Sequence, residues 1–102
     1  MGVQCEIEKY ISPYFVDIFI SPNKVIEVYG DYWHGNPEFY KKDEILDFPS
    51  GKILAQEKWQ IDAKRIQYLK EKGNEVLVVW EDEIKNDFHT VEAKINTFLG
   101  VK

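Results

Sequence analysis

Two Ser-Pro pairs, Ser12-Pro13 and Ser21-Pro22, cut the first thirty residues into three short runs rich in β-branched and aromatic side chains. Runs this short and this closely spaced read as strands joined by tight turns, because Pro and Asn favour turn positions and β-branched residues suit a pleated surface. The first run is Val3 to Ile11 and the second is Tyr14 to Ile20. The third, Val25 to Tyr29, is stopped by Gly30. An antiparallel meander is the expected arrangement. Strict alternation in the second run would put Val16, Ile18 and Ile20 on one face and Asp17 and Phe19 on the other.

Beyond the meander, residues 35 to 51 hold Gly35, Asn36, Pro37, Pro49 and Gly51 among polar residues. They predict a long loop with one short helical turn around Asp43 to Leu46. A helix is expected from Lys52 to Lys72, stopped at Gly73. Glu75 to Trp80 is a continuous apolar run of the kind found in buried parallel strands. From Asp82 a second helix is expected, with Ile84, Phe88, Val91, Ile95 and Phe98 stepping by four, three, four and three. The order β-β-β-α-β-α predicts an α/β fold with a mixed four-stranded sheet, a meander plus one parallel strand, flanked by helices.

A chain of 102 residues supports one domain and one modest core, so residues 1–102 are taken as a single unit. The chain starts abruptly on a strand-like run, which suggests a fragment of a longer protein whose preceding helix is absent. No apolar stretch approaches the ~18 residues of a membrane span, and no secretory leader is visible. An intracellular setting is expected. The single cysteine, Cys5, can form neither an internal disulfide nor a thiolate metal cage.

Several ionisable residues stand where packing alone does not explain them. Asp17 lies among apolar and aromatic residues in mid-strand, where an unpaired buried carboxylate costs several kcal/mol. Glu27 holds a similar position in the neighbouring strand, so the two carboxylates can converge across a hairpin. Held close they repel unless a cation lies between them. The alternative is that one or both face solvent. His34 follows seven residues after Glu27, in Gly30-Asp31-Tyr32-Trp33-His34-Gly35 at the end of a strand. Beside a metal, an imidazole there could take a proton from an attacking water at neutral pH. Asp62 falls on the same helical stripe as Trp59, Ile66 and Leu69, and so needs a buried partner. If that partner is His34, the carboxylate fixes the imidazole tautomer and raises its basicity. If not, Lys58 or Arg65 would pair with it.

Taken together, Asp17, Glu27, His34 and Asp62 describe a metal site with an oriented general base, which is what phosphodiester hydrolysis requires. No glycine-rich phosphate loop, nucleophile elbow or cysteine-histidine zinc spacing points elsewhere. The net charge of -5 runs against a protein that must approach phosphates. An acidic metal site and a separate DNA-gripping region would reconcile the two. Basic residues also gather in the middle third, at Lys41, Lys42, Lys52, Lys58, Lys64, Arg65, Lys70 and Lys72. They form either one positive groove wall or an ordinary solvated helix face.

The stretch Val25-Ile-Glu-Val-Tyr-Gly-Asp-Tyr-Trp-His34, followed by Lys58-Trp59, Asp62, Arg65, Leu69, Gly73 and Val76-Leu-Val-Val-Trp80-Glu81, resembles the very-short-patch repair endonucleases. These belong to the PD-(D/E)XK superfamily, and the likeness covers roughly residues 14 to 84. Among relatives, the phage homing endonucleases named for the motif E-D-x-H-D are the most similar. The resemblance implies a PD-(D/E)XK restriction-endonuclease-like fold and a Mg²⁺-dependent nuclease acting on double-stranded DNA in the cytoplasm of a bacterial host or its phage. It assigns Asp17 as metal ligand, the main-chain carbonyl of Val28 as a second, His34 as general base and Asp62 as its orienting carboxylate. Glu27 is the second acidic residue, and Tyr29 stands where the superfamily's lysine is usual.

Tyr32 and Trp33 match aromatics that press into the DNA stack, and Lys41, Lys42 and Arg65 are the expected DNA contacts. Asp31 occupies the place of a zinc-ligating cysteine of the repair enzymes, so no structural zinc is expected. Mismatch specificity is correspondingly disfavoured against homing or other site-directed cleavage, and any homodimer would form through regions outside this fragment. The competing expectations are a mismatch nickase and a catalytically inert DNA-binding or assembly module on the same fold.

Overall fold

The turns at Ser12-Pro13 and Ser21–Asn23 each close a hairpin in the computed structural model, which describes residues 5–101. Strands β1 (Cys5–Ile11), β2 (Tyr14–Ile20) and β3 (Lys24–Tyr29) form the meander, antiparallel throughout. Val3, where the first strand was expected to begin, lies outside the described residues. The apolar run Glu75–Trp80 is β6, which pairs in parallel with β3 from Lys24↔Glu75 to Tyr29↔Trp80. The sheet order is β1-β2-β3-β6, a mixed four-stranded sheet. Among the described residues no helix is long and apolar enough to cross a membrane.

Helices cover both faces. Helix α2 (Ala55–Glu71) inserts Leu69 between Val16, Phe19 and Val25 on one face. On the other, α3 (Glu81–Asn86) and α4 (Phe88–Leu99) pack Ile84, Val91, Ile95 and Phe98 against Ile20, Ile26 and Val79. Val16, Val25, Leu69, Val79 and Val91 are almost fully removed from water.

Four details differ from the sequence expectation. Simple alternation fails in β2: Val16 shares the α2 face with Phe19, whereas Ile18 and Ile20 lie on the α4 face. The cause is an interruption. The β1 ladder pairs Ile7 with Ile18 and Lys9 with Val16 but skips Glu8 and Asp17, and Glu8 takes a positive φ of 56°. The β3 ladder likewise ends at Ile18↔Ile26. A break in a ladder resets which face the following residues meet.

The stretch expected to be loop carries a second, two-stranded sheet. Its strands β4 (Ile45–Phe48) and β5 (Gly51–Leu54) turn at Pro49-Ser50, and β5 replaces the first helical turn expected from Lys52. Leu46 is the buried anchor of this hairpin, and the turn around Lys41–Glu44 precedes it rather than forming a helix. A one-turn helix, α1 (Asp31–His34), follows β3 directly. Finally, the helix expected from Asp82 is two helices. Asp87 leaves the helical region at φ −151°, ψ 57°, and its carboxylate accepts a hydrogen bond from the Thr90 hydroxyl at 2.7 Å. Asp commonly takes such helix-starting positions because its side chain competes for local hydrogen bonds.

Candidate active site

The ladder break that shifts the parity of β2 also frees Asp17 from regular pairing. Its Oδ2 accepts a hydrogen bond from the backbone N–H of Val28 at 2.7 Å, so the carboxylate substitutes for a strand partner. In an extended strand the N–H and C=O of one residue point to the same edge. The Val28 carbonyl therefore faces the Asp17 side of β3. Two residues apart on β3, Glu27 and Tyr29 point to the α2 face, and both are buried.

His34 arrives from the opposite direction. A single helical turn cannot hold itself, since nucleation costs more than one turn returns. Neighbours fix α1 instead. The indole Nε1 of Trp59 donates to the Gly35 carbonyl at 2.6 Å. Gly35 sits at φ 60°, where a Cβ would come within 3.0 Å of Leu46, so this close approach requires glycine. Asp31 and Asn36 complete the clamp: Asn36 Nδ2 and the Asp82 N–H both donate to Asp31 Oδ1, and the Asp31 N–H donates to Glu81.

On α2, Lys58, Asp62 and Arg65 follow helical spacing along one stripe. With Asp17, Glu27, Val28, Tyr29 and His34, and with Tyr14, Phe15 and Ile61, they line one cleft of about 330 Å³. His34 Nδ1 lies 2.9 Å from Asp62 Oδ2, and Lys58 Nζ lies 3.0 Å from Asp62 Oδ1. Of the three partners considered from sequence, His34 and Lys58 both hold Asp62, whereas Arg65 pairs with Glu27. A carboxylate can only accept, so Nδ1 carries the ring hydrogen and Nε2 is left as the basic nitrogen.

The cation that compensates Glu27 belongs to the protein. Arg65 Nη2 stands 3.0 Å from Glu27 Oε1 and 2.6 Å from the Phe15 carbonyl, with its guanidinium over the Tyr14 ring. Burial pushes the Glu27 carboxyl above its ordinary range, Arg65 pulls it back, and nearby Asp17 pushes it up again. The two carboxylates line the same cleft. Among the described residues, no three His, Cys, Asp or Glu side chains converge as a ready-made metal cage. A cation here would rest on Asp17, Glu27 and main-chain oxygen. Mg²⁺ suits such a sparse oxygen set, because it retains several waters and takes only one or two carboxylates.

The expected DNA contacts are placed differently. Arg65 is held inside the cleft on Glu27, not displayed on the surface, so the arginine is a wall of the site. Tyr32 and Trp33 stand outside the cleft lining. The Tyr32 hydroxyl donates to the Asp47 carbonyl, and Trp33 stacks on Phe48 with 54 % of its surface exposed. Lys41 and Lys42 are exposed in the turn before β4. Of the basic residues in the middle third, only Lys58 and Arg65 line the cleft, and each is paired with a carboxylate.

Sequence reasoning placed Tyr29 where the superfamily's lysine is usual and gave it no role. Its ring lies face to face with the His34 imidazole, at 3.9 Å and 6° between planes. Its parity with Glu27, two residues apart in one strand, was the available signal. No protein-family model, curated protein or solved structure was found to match the chain, so its own residues carry the functional reading.

Proposed function

We propose that this chain is the catalytic domain of a Mg²⁺-dependent endodeoxyribonuclease of the PD-(D/E)XK type, similar to the very-short-patch repair endonucleases and used for site-directed, homing-type cleavage. The observation that carries the reading is the His34–Asp62 hydrogen bond at 2.9 Å, inside the cleft that also holds Asp17 and Glu27. Asp17 is the principal metal ligand, supported by the Val28 carbonyl and by Glu27. Bound there, Mg²⁺ would supply charge neutralisation at a phosphoryl oxygen and would lower the pKa of a coordinated water.

The remaining work falls to the chain itself. Nε2 of His34 takes the proton of the attacking water, and Asp62 holds the ring in the required tautomer and stabilises it once protonated. Lys58 holds the other Asp62 oxygen in place. Arg65, anchored through Nη2, has further N–H groups with which to meet a phosphate of the bound strand. Tyr32 and Trp33 offer exposed aromatic faces to unstacked bases. With 18 acidic residues against 13 basic, grip on double-stranded DNA comes from another part of the protein.

A second reading, an inert DNA-binding or assembly module, rests on the internal pairing of the cleft. Asp17, Glu27 and Asp62 each have a partner within the protein, as a purely structural polar network would. A plasmid nicking assay decides between them. The nuclease reading expects Mg²⁺-dependent relaxation by the wild type, abolished by chelator and by Asp17→Ala. Metal-independent cleavage, or equal cleavage by Asp17→Ala, would contradict it. Adding a mismatched duplex beside a matched one tests for a repair nickase.

A further inference from the structure

Tyr29 is the most buried aromatic residue of the cleft, 5 % exposed, yet its hydroxyl has no hydrogen-bond partner among the described residues. Burial first, then the charges of Asp62 and Glu27, push its phenol upward, so it stays neutral at any working pH. An unsatisfied buried hydroxyl costs free energy, and a side chain kept for hydrogen bonding would be expected to use it. The ring, in contrast, is engaged. One face lies on the His34 imidazole, and Trp80 packs beside its rim with centroids 5.2 Å apart and planes at 85°.

These contacts complement those of Asp62. A single hydrogen bond to Nδ1 fixes the position of that nitrogen but leaves the imidazole free to tilt about the bond. A parallel aromatic surface removes that tilt. Trp80 pairs with Tyr29 across the β3–β6 ladder, so the platform is tied to the sheet and not to the short α1 turn that carries His34.

We propose that Tyr29 is a positioning residue whose aromatic face, not its hydroxyl, sets the plane of the His34 imidazole and so aims Nε2 into the cleft. The inference rests on the nuclease reading for its kinetic consequence, but not for its structural one. The test compares Tyr29→Phe with Tyr29→Leu and Tyr29→Met, the last as a flexible substitute should the leucine variant fail to fold. Two readouts are taken on full-length protein shown folded by circular dichroism: the ring nitrogen signals of His34 by NMR, and kcat and KM for Mg²⁺-dependent cleavage.

Tyr29→Phe is expected to keep the Nδ1–H tautomer and kcat within about twofold, with thermal stability no lower than wild type. The aliphatic variants are expected to show mixed tautomers and at least a tenfold fall in kcat at unchanged KM. Aliphatic variants with the wild-type tautomer and kcat would overturn the proposal, as would a phenylalanine variant as impaired as the leucine one. Should the wild type cleave nothing, the nuclease reading fails, and the NMR comparison still decides whether Tyr29 orients His34.

Discussion

The two faces of the four-stranded sheet are built from the same strands and do opposite things. On the α4 face, Ile18, Ile20, Ile26, Leu77 and Val79 meet Val91, Ile95 and Phe98 in an unbroken apolar layer. On the α2 face, the buried apolar cluster lies toward one end, around Val16, Phe19, Val25 and Leu69. The other end carries Asp17, Glu27, Tyr29, Asp62 and Arg65 with His34 above them. Strand β3 shows the division within six residues, since Ile26 enters the apolar layer and its neighbour Glu27 enters the cleft. The period of two thus separates an apolar layer from a polar cleft, and the nuclease proposal expects one face to be tunable without disturbing the other.

That separation can be broken by substitution. The largest effects are expected from Asp17→Ala, which removes the proposed principal metal ligand and should abolish cleavage, and from His34→Ala, which should lower the rate by about 10²–10⁴-fold, the usual worth of a positioned proton acceptor, each with little change in melting temperature. Rates measured under single-turnover conditions check this, and full activity in either variant removes that residue from the mechanism. The reverse pattern is expected on the α4 face. Ile26→Ala should cost about 2–5 kcal/mol in a denaturant titration while leaving the rate per folded molecule unchanged. A rate loss as large as that of His34→Ala would show that the faces are not independent.

Trp33 belongs to neither face and sharpens the comparison. Being half-exposed on a one-turn helix, Trp33→Ala should alter stability by no more than about 0.5 kcal/mol. If the ring stacks on a base, the same change weakens DNA binding by about 1–3 kcal/mol in a salt-controlled titration. Unchanged affinity would reduce Trp33 to a packing partner of Phe48.

The smallest effect concerns pH. The folded protein holds the Glu27 proton more tightly than the unfolded chain, chiefly through burial, so this group's stabilising contribution is complete below the ordinary value of 4.5 and is lost as pH rises through the raised one. In metal-free buffer, unfolding free energies measured upward from pH 4.5 should therefore show a decline that Glu27→Gln removes. An identical slope in the variant would contradict that assignment.

Much of this arrangement was legible because it follows from periodicity. The three short runs and the apolar Glu75–Trp80 run specified the mixed sheet, and helical spacing put Asp62 on the stripe that meets His34. What was hidden depends on tertiary exceptions to those periods. No local signal marks the ladder break at Asp17, which moves Val16 to the face of Phe19. Pro49 and Gly51 masked a hairpin held by one buried leucine. Arg65 stayed open between a DNA contact, a partner of Asp62 and a solvated helix face, because nothing near it in sequence reveals that Glu27 and the Phe15 carbonyl lie against it, 38 and 50 residues away. The partners of Asp62 could be named in advance, but the Arg65–Glu27 pair and the stacking of Tyr29 on His34 could not.

The central claim is that Asp17 and the edge of β3 hold a cation within reach of His34. A crystal of the wild-type protein soaked in Mn²⁺, with anomalous scattering collected at the manganese edge, tests it most directly. The account predicts a peak about 2.0–2.3 Å from an Asp17 carboxylate oxygen, beside the Val28 carbonyl, with a coordinated water facing Nε2 of His34. Manganese bound only elsewhere, or a cleft that stays without a peak at saturating metal, would contradict it.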